Sequence, residues 1–300
     1  WGTTFRISDE LGDFSDPSNT VYVANNEFKG WIDPYISTDP ADNSHKSQGW
    51  KYNFLLIQFS PNTGAVNQSI NNIIFENNKI SNGGNFISVG SAENITIRNN
   101  IFISNDTDNQ NKISIGNINS ETGFDTKPTR NVKIYGNTFI VRPTTSSGYG
   151  LLFVKNYTRG SYSQSLFGYS KNSDISFYNN IIYVNSSSNN LFMIKLQAND
   201  PDLINNISSN NNLYFLNGGN IGSLRFRINA TNYNLTQWQQ ITGEDTNSIF
   251  SDPLFVDLLG SDNELFSQII DSNLRLLTGS PAIGAGGINL LNILYYDFER

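Results

Sequence analysis

The sequence predicts an all-β fold, a right-handed three-sided parallel β-helix of about six coils with a C-terminal cap. One motif recurs: an alternating strand, a polar bend that ends in asparagine, and a second alternating strand. Its clearest copy is Asn94-Ile-Thr-Ile-Arg-Asn-Asn100-Ile-Phe-Ile103. A third alternating stretch completes each later coil, for example Asn190-Leu-Phe-Met-Ile-Lys195. The bend asparagines are spaced by roughly 22 to 52 residues, as in solenoids with loops of variable length; they are Asn26, Asn78, Asn100, Asn137, Asn180 and Asn212.

Asparagine suits these bends because it tolerates a left-handed backbone better than any residue except glycine. Stacked coils place equivalent side chains about 4.8 Å apart. Each amide can then donate to the amide of the next coil, as in the asparagine ladders of cross-β structures. We therefore interpret these asparagines as structural.

Residues 1–228 are expected to form the coils and residues 229–300 a capping segment of the same domain. Alternation directs Ile95, Ile97 and Phe102 into the core. The repeat ends after Ile228, and a short amphipathic helix is predicted from Asn234. A cap is needed because an open solenoid end exposes strand edges and apolar core. One outward apolar row remains for another segment to cover, namely Ile103, Ile140, Tyr183 and Phe215.

Composition excludes several classes of function. The chain has no cysteine, which rules out disulfides, thiolate metal sites and a cysteine nucleophile. Its net charge of −7 argues against nucleic acid as a partner, because phosphate backbones are bound by basic surfaces. No apolar run reaches the length of a membrane span. We expect a monomer without a cofactor. Calcium at the oxygen-rich loop Asp106–Asn111 is the alternative, although this loop lacks the glycine and glutamate of an EF-hand.

The bend repeats, together with Trp238 and the segments Gly243–Val256 and Gly279–Gly286, resemble secreted right-handed parallel β-helix proteins of the pectate-lyase-like superfamily, common in Bacteroidetes. The resemblance covers nearly the whole chain. It implies a bacterial protein that is secreted or held at the cell surface, with polysaccharide bound along the sheet formed by the third strands. The superfamily also includes hydrolases, epimerases and adhesins, and no intact lyase motif is present here, so the fold alone does not decide the chemistry.

Outward positions of the third strands are the candidate ligand-binding positions. Aligned by alternation, they form the rows Ser88/Ser114/Phe153/Met193/Arg225 and Gly90/Gly116/Lys155/Lys195/Arg227. The second row stacks three cations, and unit charges about 5 Å apart repel by roughly 1 kcal/mol in water. The functional interpretation is a track for the carboxylates or sulfates of an acidic glycan. Alternatively, these side chains extend into solvent or pair with loop acids such as Asp174, Asp200 or Asp202.

If the protein is a lyase, Lys155 or Lys195 is the candidate base that abstracts the proton α to a uronate carboxyl group. Arginine would neutralise that carboxylate. The candidate substrate-binding residues are Arg225, Arg227, Tyr149, Tyr157, Gln58 and His45. Two alternatives remain open. One is a non-catalytic surface protein, adhesin-like or structural, and the other is a glycoside hydrolase with two carboxylates about 5–10 Å apart.

Overall fold

The structure is a computed structural model that describes residues 5–7, 20–29, 57–59, 70–81, 86–90, 92–105, 111–116, 129–142, 148–156, 172–186, 191–198, 201–258 and 273–286. These residues form an all-β parallel β-helix, which confirms the predicted fold class. Successive strands enter three parallel sheets in turn, so each coil lies against the next one along the chain.

Sheet 1 has eight strands. In spatial order they are β1 (Phe5–Ile7), β4 (Ile57–Phe59), β7 (Ile87–Val89), β10 (Ile113–Gly116), β13 (Tyr149–Asn156), β16 (Leu191–Ala198), β19 (Phe226–Ile228) and β20 (Thr231–Tyr233). Neighbours pair in parallel except for β20, which is antiparallel to β19.

Sheets 2 and 3 hold the strands on either side of each bend. Sheet 2 consists of β2 (Val21–Ala24), β5 (Ile70–Glu76), β8 (Ala92–Arg98), β11 (Arg130–Tyr135), β14 (Ser173–Tyr178) and β17 (Ile207–Asn210). Sheet 3 consists of β3 (Glu27–Lys29), β6 (Lys79–Ser81), β9 (Ile101–Asn105), β12 (Thr138–Arg142), β15 (Ile181–Val184), β18 (Leu213–Leu216) and β21 (Ile249–Phe250). Two 3₁₀ helices, Pro201–Asn206 and Ile221–Ser223, precede β17 and β19.

The predicted asparagine column joins the coils where sheets 2 and 3 meet. Nδ2 of each asparagine from Asn26 to Asn180 donates to Oδ1 of the next one, at 3.0–3.1 Å. The same Oδ1 accepts a backbone N–H, as when Asn100 donates to Asn137 at 3.0 Å. Nδ2 of Asn100 also donates to the carbonyl of Phe75 at 3.0 Å. All of these asparagines except Asn26 are buried, and buried hydrogen bonds are worth more than their equivalents at the surface.

The left-handed residue of each bend is not the column asparagine but the residue before it, which corrects the sequence-based interpretation. For example, φ is 54° at Asn99 and 64° at Gly136. The corner and the column therefore use two adjacent residues: the first turns the backbone, and the second directs its amide along the stack. A second left-handed set lies in the strands of sheet 2, at Asn72, Asn94, Asn131 and Asp174.

Apolar side chains fill the interior as the alternation predicts. Ile95, Ile97 and Phe102 are fully buried, and the rings of Phe102 and Phe139 stack with centroids 4.8 Å apart. On the outside of sheet 3, Ile103, Ile140 and Tyr183 form a second cluster with Phe215. Phe255, Leu258 and Leu274 pack against this cluster, so the segment that covers the outward row includes the two-stranded sheet of β22 (Phe255–Asp257) and β23 (Asn273–Leu276).

Residues after Ile228 close the C-terminal end of the column. The predicted helix is present as α1 (Leu235–Thr242), with Asn234 and Gln237 forming a capping box at its start. Nδ2 of Asn212 donates to Oδ1 of Asp245 at 3.1 Å. The division of the chain at residue 228 stays a prediction, although β21 adds a parallel strand to sheet 3 beyond that point.

Candidate functional site

Sheet 1 carries the predicted cations in a register that differs from the expected one. Phe153 lies opposite Lys195, and Lys195 lies opposite Arg227, whereas Lys155 lies opposite Gln197. The predicted row of Lys155, Lys195 and Arg227 is therefore wrong, and only Lys195 and Arg227 are direct neighbours. A slip of two residues preserves inward and outward alternation, so the apolar pattern could not distinguish these registers.

The predicted outward position of Met193 is also wrong. Met193 and the following Ile194 both belong to the apolar core, as do Leu151 and Leu152 in the preceding coil. Two successive inward residues break the alternation at the start of these strands. Alternation places every second side chain on one face, so it assigned Met193 to the outside.

Lys112 occupies the same position in its coil as Leu151 and Met193 do in theirs, one coil before Leu151. The sequence did not indicate a role for it. The carbonyl of Lys112 accepts from the N–H of Phe86, and its own N–H donates to the carbonyl of Gly150, which aligns it with this column of buried residues. Its side chain is 1% exposed, and its ammonium group lies 5.9 Å from the centroid of the Phe86 ring. Burial lowers the pKa of Lys112 to about 7. The sequence feature that could have identified this residue is a lysine immediately before the strand Ile113–Gly116.

Aromatic rings lie beneath the cations on sheet 1. The ammonium nitrogen of Lys195 is 4.9 Å from the centroid of the Phe153 ring. The guanidinium carbons of Arg225 and Arg227 are 4.7 Å and 5.4 Å from the centroid of the Phe192 ring. The negative face of a ring attracts a cation, and this attraction helps to hold the charged groups in place.

Backbone carbonyls also hold two of these cations. Nζ of Lys195 donates to the carbonyl of Gly148, and Nε of Arg227 donates to the carbonyl of Asn229 at 2.7 Å. Lys195 can lie against the backbone of β13 because residue 150 is a glycine. A Cβ atom at Gly150 would be 2.9 Å from Cβ of Lys195. The cluster of Lys195, Arg225, Arg227, Phe153 and Phe192 is called the cationic cluster below.

The cationic cluster has a positive field although the chain as a whole is acidic. The pKa of Lys195 is lowered by burial first and then by the charges of Arg227 and Lys155. The described strands of sheet 1 contain no aspartate or glutamate. Asp174, one predicted partner of these cations, belongs to sheet 2 and lies 3.8 Å from Arg130. The charges of Arg227 and Lys155 therefore add to the effect of burial in lowering the pKa of Lys195.

The other predicted site residues are less closely associated with this cluster. Tyr149 is half-buried and packs against the core, so part of its role is structural. Gln58 lies between Arg6 and Ser88 in the row that leads through Ser114 and Phe153 to Lys195. Tyr157 and His45 lie outside the described residues.

Neither a metal-binding group nor a membrane-spanning helix is found among the described residues. They contain no group of three or more histidine, aspartate or glutamate side chains that could hold a metal ion. Of the loop suggested for calcium, only Asn111 is described, and its Oδ1 accepts from the N–H of Gly150 at 2.7 Å. No helix in the described part of the chain is long and apolar enough to cross a bilayer.

No protein-family model matches the chain, and searches of curated proteins and of solved structures found none that is similar.

Proposed function

We propose that the outer face of sheet 1 binds an acidic polysaccharide and that the protein works outside the cytoplasm of a bacterium, as its resemblance to pectate-lyase-like proteins implies. The pairing of Lys195 with Arg227 carries this proposal. Burial and then the charge of Arg227 lower the pKa of Lys195, and the repulsion between these two cations is relieved when an anion enters between them. A carboxylate or sulfate on a sugar chain supplies that anion.

If the bound chain is also cleaved, lyase chemistry fits these residues best. Lys195 would take the proton α to a uronate carboxyl group as Arg227 neutralises the carboxylate. The electron pair of that C–H bond would form the new C=C bond while the glycosidic C–O bond breaks, and the leaving oxygen would then acquire a proton. A base must be neutral to accept the proton, and the lowered pKa of Lys195 favours its neutral form. Lys155, near enough to influence Lys195, is the second candidate base.

The described strands of sheet 1 provide no carboxylate pair for a glycoside hydrolase. A non-catalytic binding protein at the cell surface, adhesin-like, would differ from the lyase in leaving the bound chain uncleaved, whereas a structural protein would bind no polysaccharide. Both the lyase and the non-catalytic binding protein would use the cationic cluster, so one set of binding and turnover measurements separates them.

The test compares the Lys195→Ala/Arg227→Ala double variant with wild type. Calorimetric titrations with uronate, sulfated and neutral polysaccharides are expected to show that the variant binds acidic chains at least about tenfold more weakly. Neutral polysaccharides should bind the variant and the wild type with equal affinity. The matched control is Lys133→Ala, which removes an exposed cation from sheet 2. Ultraviolet absorbance from an unsaturated product would identify a lyase. Equal affinity of wild type and double variant for every acidic chain would refute the proposed site.

A further inference from the structure

We infer that Phe192 is a positioning residue that holds Arg225 and Arg227 together as a clamp for one oxyanion of the ligand. This inference rests on the proposed binding of acidic polysaccharide and identifies the part of the site that recognises the charged group.

The backbone directs both arginines to one side of β19. They are separated by Phe226, which is fully buried and stacks on Trp238 with ring centroids 5.1 Å apart. Because alternate residues of a strand face the same way, anchoring Phe226 in the core sends Arg225 and Arg227 outward. The sheet thereby places two guanidinium groups side by side at the outer surface.

Phe192 then fixes where the guanidinium groups rest. Its ring is only 1% exposed, and both guanidinium groups lie within 5.4 Å of its centroid. Guanidinium is weakly hydrated and planar, so it stacks on a ring more readily than ammonium does. Two such groups beside one ring repel each other, and this repulsion is compensated when an anion binds both.

The donor geometry indicates the chemical class of the bound group. Nε of Arg227 donates to the carbonyl of Asn229, so we assign contact with the ligand to its terminal nitrogens. Paired N–H groups of guanidinium match the oxygens of carboxylate and sulfate, giving short and strong bonds. Lys195, opposite Arg227, adds a third positive charge. The clamp therefore selects a uronate carboxylate or a sulfate ester over a hydroxyl group.

The experiment replaces the ring while keeping both arginines. Phe192→Leu is expected to weaken binding of acidic oligosaccharides about tenfold, whereas Phe192→Tyr should restore most of the affinity. Oligomers of uronate and of sulfated sugar are titrated separately, and the series that loses more affinity identifies the oxyanion. Phe139→Leu is the matched control, since it truncates an equally buried ring in sheet 3.

A mutant cycle tests whether Phe192 acts through the arginines. In an Arg225→Ala/Arg227→Ala background, Phe192→Leu should change affinity no further. The inference is wrong if Phe192→Leu binds as wild type does, if Phe139→Leu loses as much affinity, or if the effect of Phe192→Leu persists without the arginines.

Inorganic sulfate, titrated in parallel, separates failure of the clamp from failure of the proposed function. If wild type binds sulfate but no polysaccharide, and Phe192→Leu binds sulfate more weakly, the clamp is supported. The proposal that the ligand is a polysaccharide is then refuted. Wild type that binds neither sulfate nor any acidic chain refutes both.

Discussion

Lys112 is a single residue whose chemistry is set by burial. It lies in line with residues that are apolar in the neighbouring coils, Phe86 and Leu151. Taking an ammonium group out of water costs several kcal/mol, more than its methylene groups regain. Burial therefore lowers its pKa to about 7. We expect this lysine to destabilise the fold most when it is protonated.

Replacement of Lys112 by methionine should stabilise the protein in a pH-dependent way. An unfolded lysine has a pKa of about 10.4, so between about pH 7 and pH 10 only the unfolded state binds this proton. The free energy of unfolding of wild type therefore rises with pH in that window, and Lys112→Met removes the rise. The variant should be more stable by about 4–5 kcal/mol below pH 7 and by little near pH 10.

Denaturant titrations at a series of pH values measure this difference, with exposed Lys133→Met as the control. If Lys112→Met changes stability equally at every pH, the native lysine does not titrate as its burial implies.

Strands and bends are the elements that the sequence predicts best, because each depends on local rules. Alternation placed Ile95 and Phe102 correctly, and the spacing of the asparagines identified the column. The sequence paired β13 with β16 correctly but in the wrong register, because a two-residue slip obeys the same alternation. The correct neighbour of Lys195 thus depended on packing at Met193 and Leu151, which no local pattern shows.

The turn before β22 stores strain in one leucine. Leu254 has a φ of 54° and is 38% exposed. Three bonds fix this turn: the Leu254 N–H donates to Oδ1 of Asp252, its carbonyl accepts from Leu277, and Oγ of Ser280 donates to the Pro253 carbonyl. Two of the segments that carried the family resemblance, Gly243–Val256 and Gly279–Gly286, therefore meet at this turn.

Asparagine at position 254 should relieve that strain. A left-handed backbone costs a bulky residue roughly 1–2 kcal/mol, and asparagine adopts it more easily. Leu254→Asn is expected to raise the free energy of unfolding by about 1 kcal/mol, measured by denaturant titration. The control Val256→Asn changes a similarly exposed residue that is not among those with positive φ, and should bring no gain. A destabilised Leu254→Asn would mean that the contacts of the leucine outweigh its strain.

Across the whole molecule, the asparagine column has a direction, and Asp245 ends it. Each amide donates toward the C-terminal end, so the last one, Asn212, presents a donor to the cap. An ionised carboxylate only accepts, which makes aspartate a suitable final partner. Asp245 also accepts from Tyr214 and Trp238, both at 3.1 Å. Its role could not be predicted from the sequence because it depends on which asparagine is last.

Loss of this carboxylate should therefore loosen the coils from the C-terminal end. Asp245→Asn places amide hydrogens among buried donors and is expected to lower the free energy of unfolding by about 3 kcal/mol. In a solenoid each coil is stabilised by its neighbours, so the effect should decrease with distance from Asp245. Hydrogen exchange should therefore accelerate much more in β17 and β18 than in β5 and β6. Thr246→Ala, an exposed neighbour, serves as the control. Equal acceleration in every coil would show that the column unfolds as one unit and that Asp245 is not a local cap.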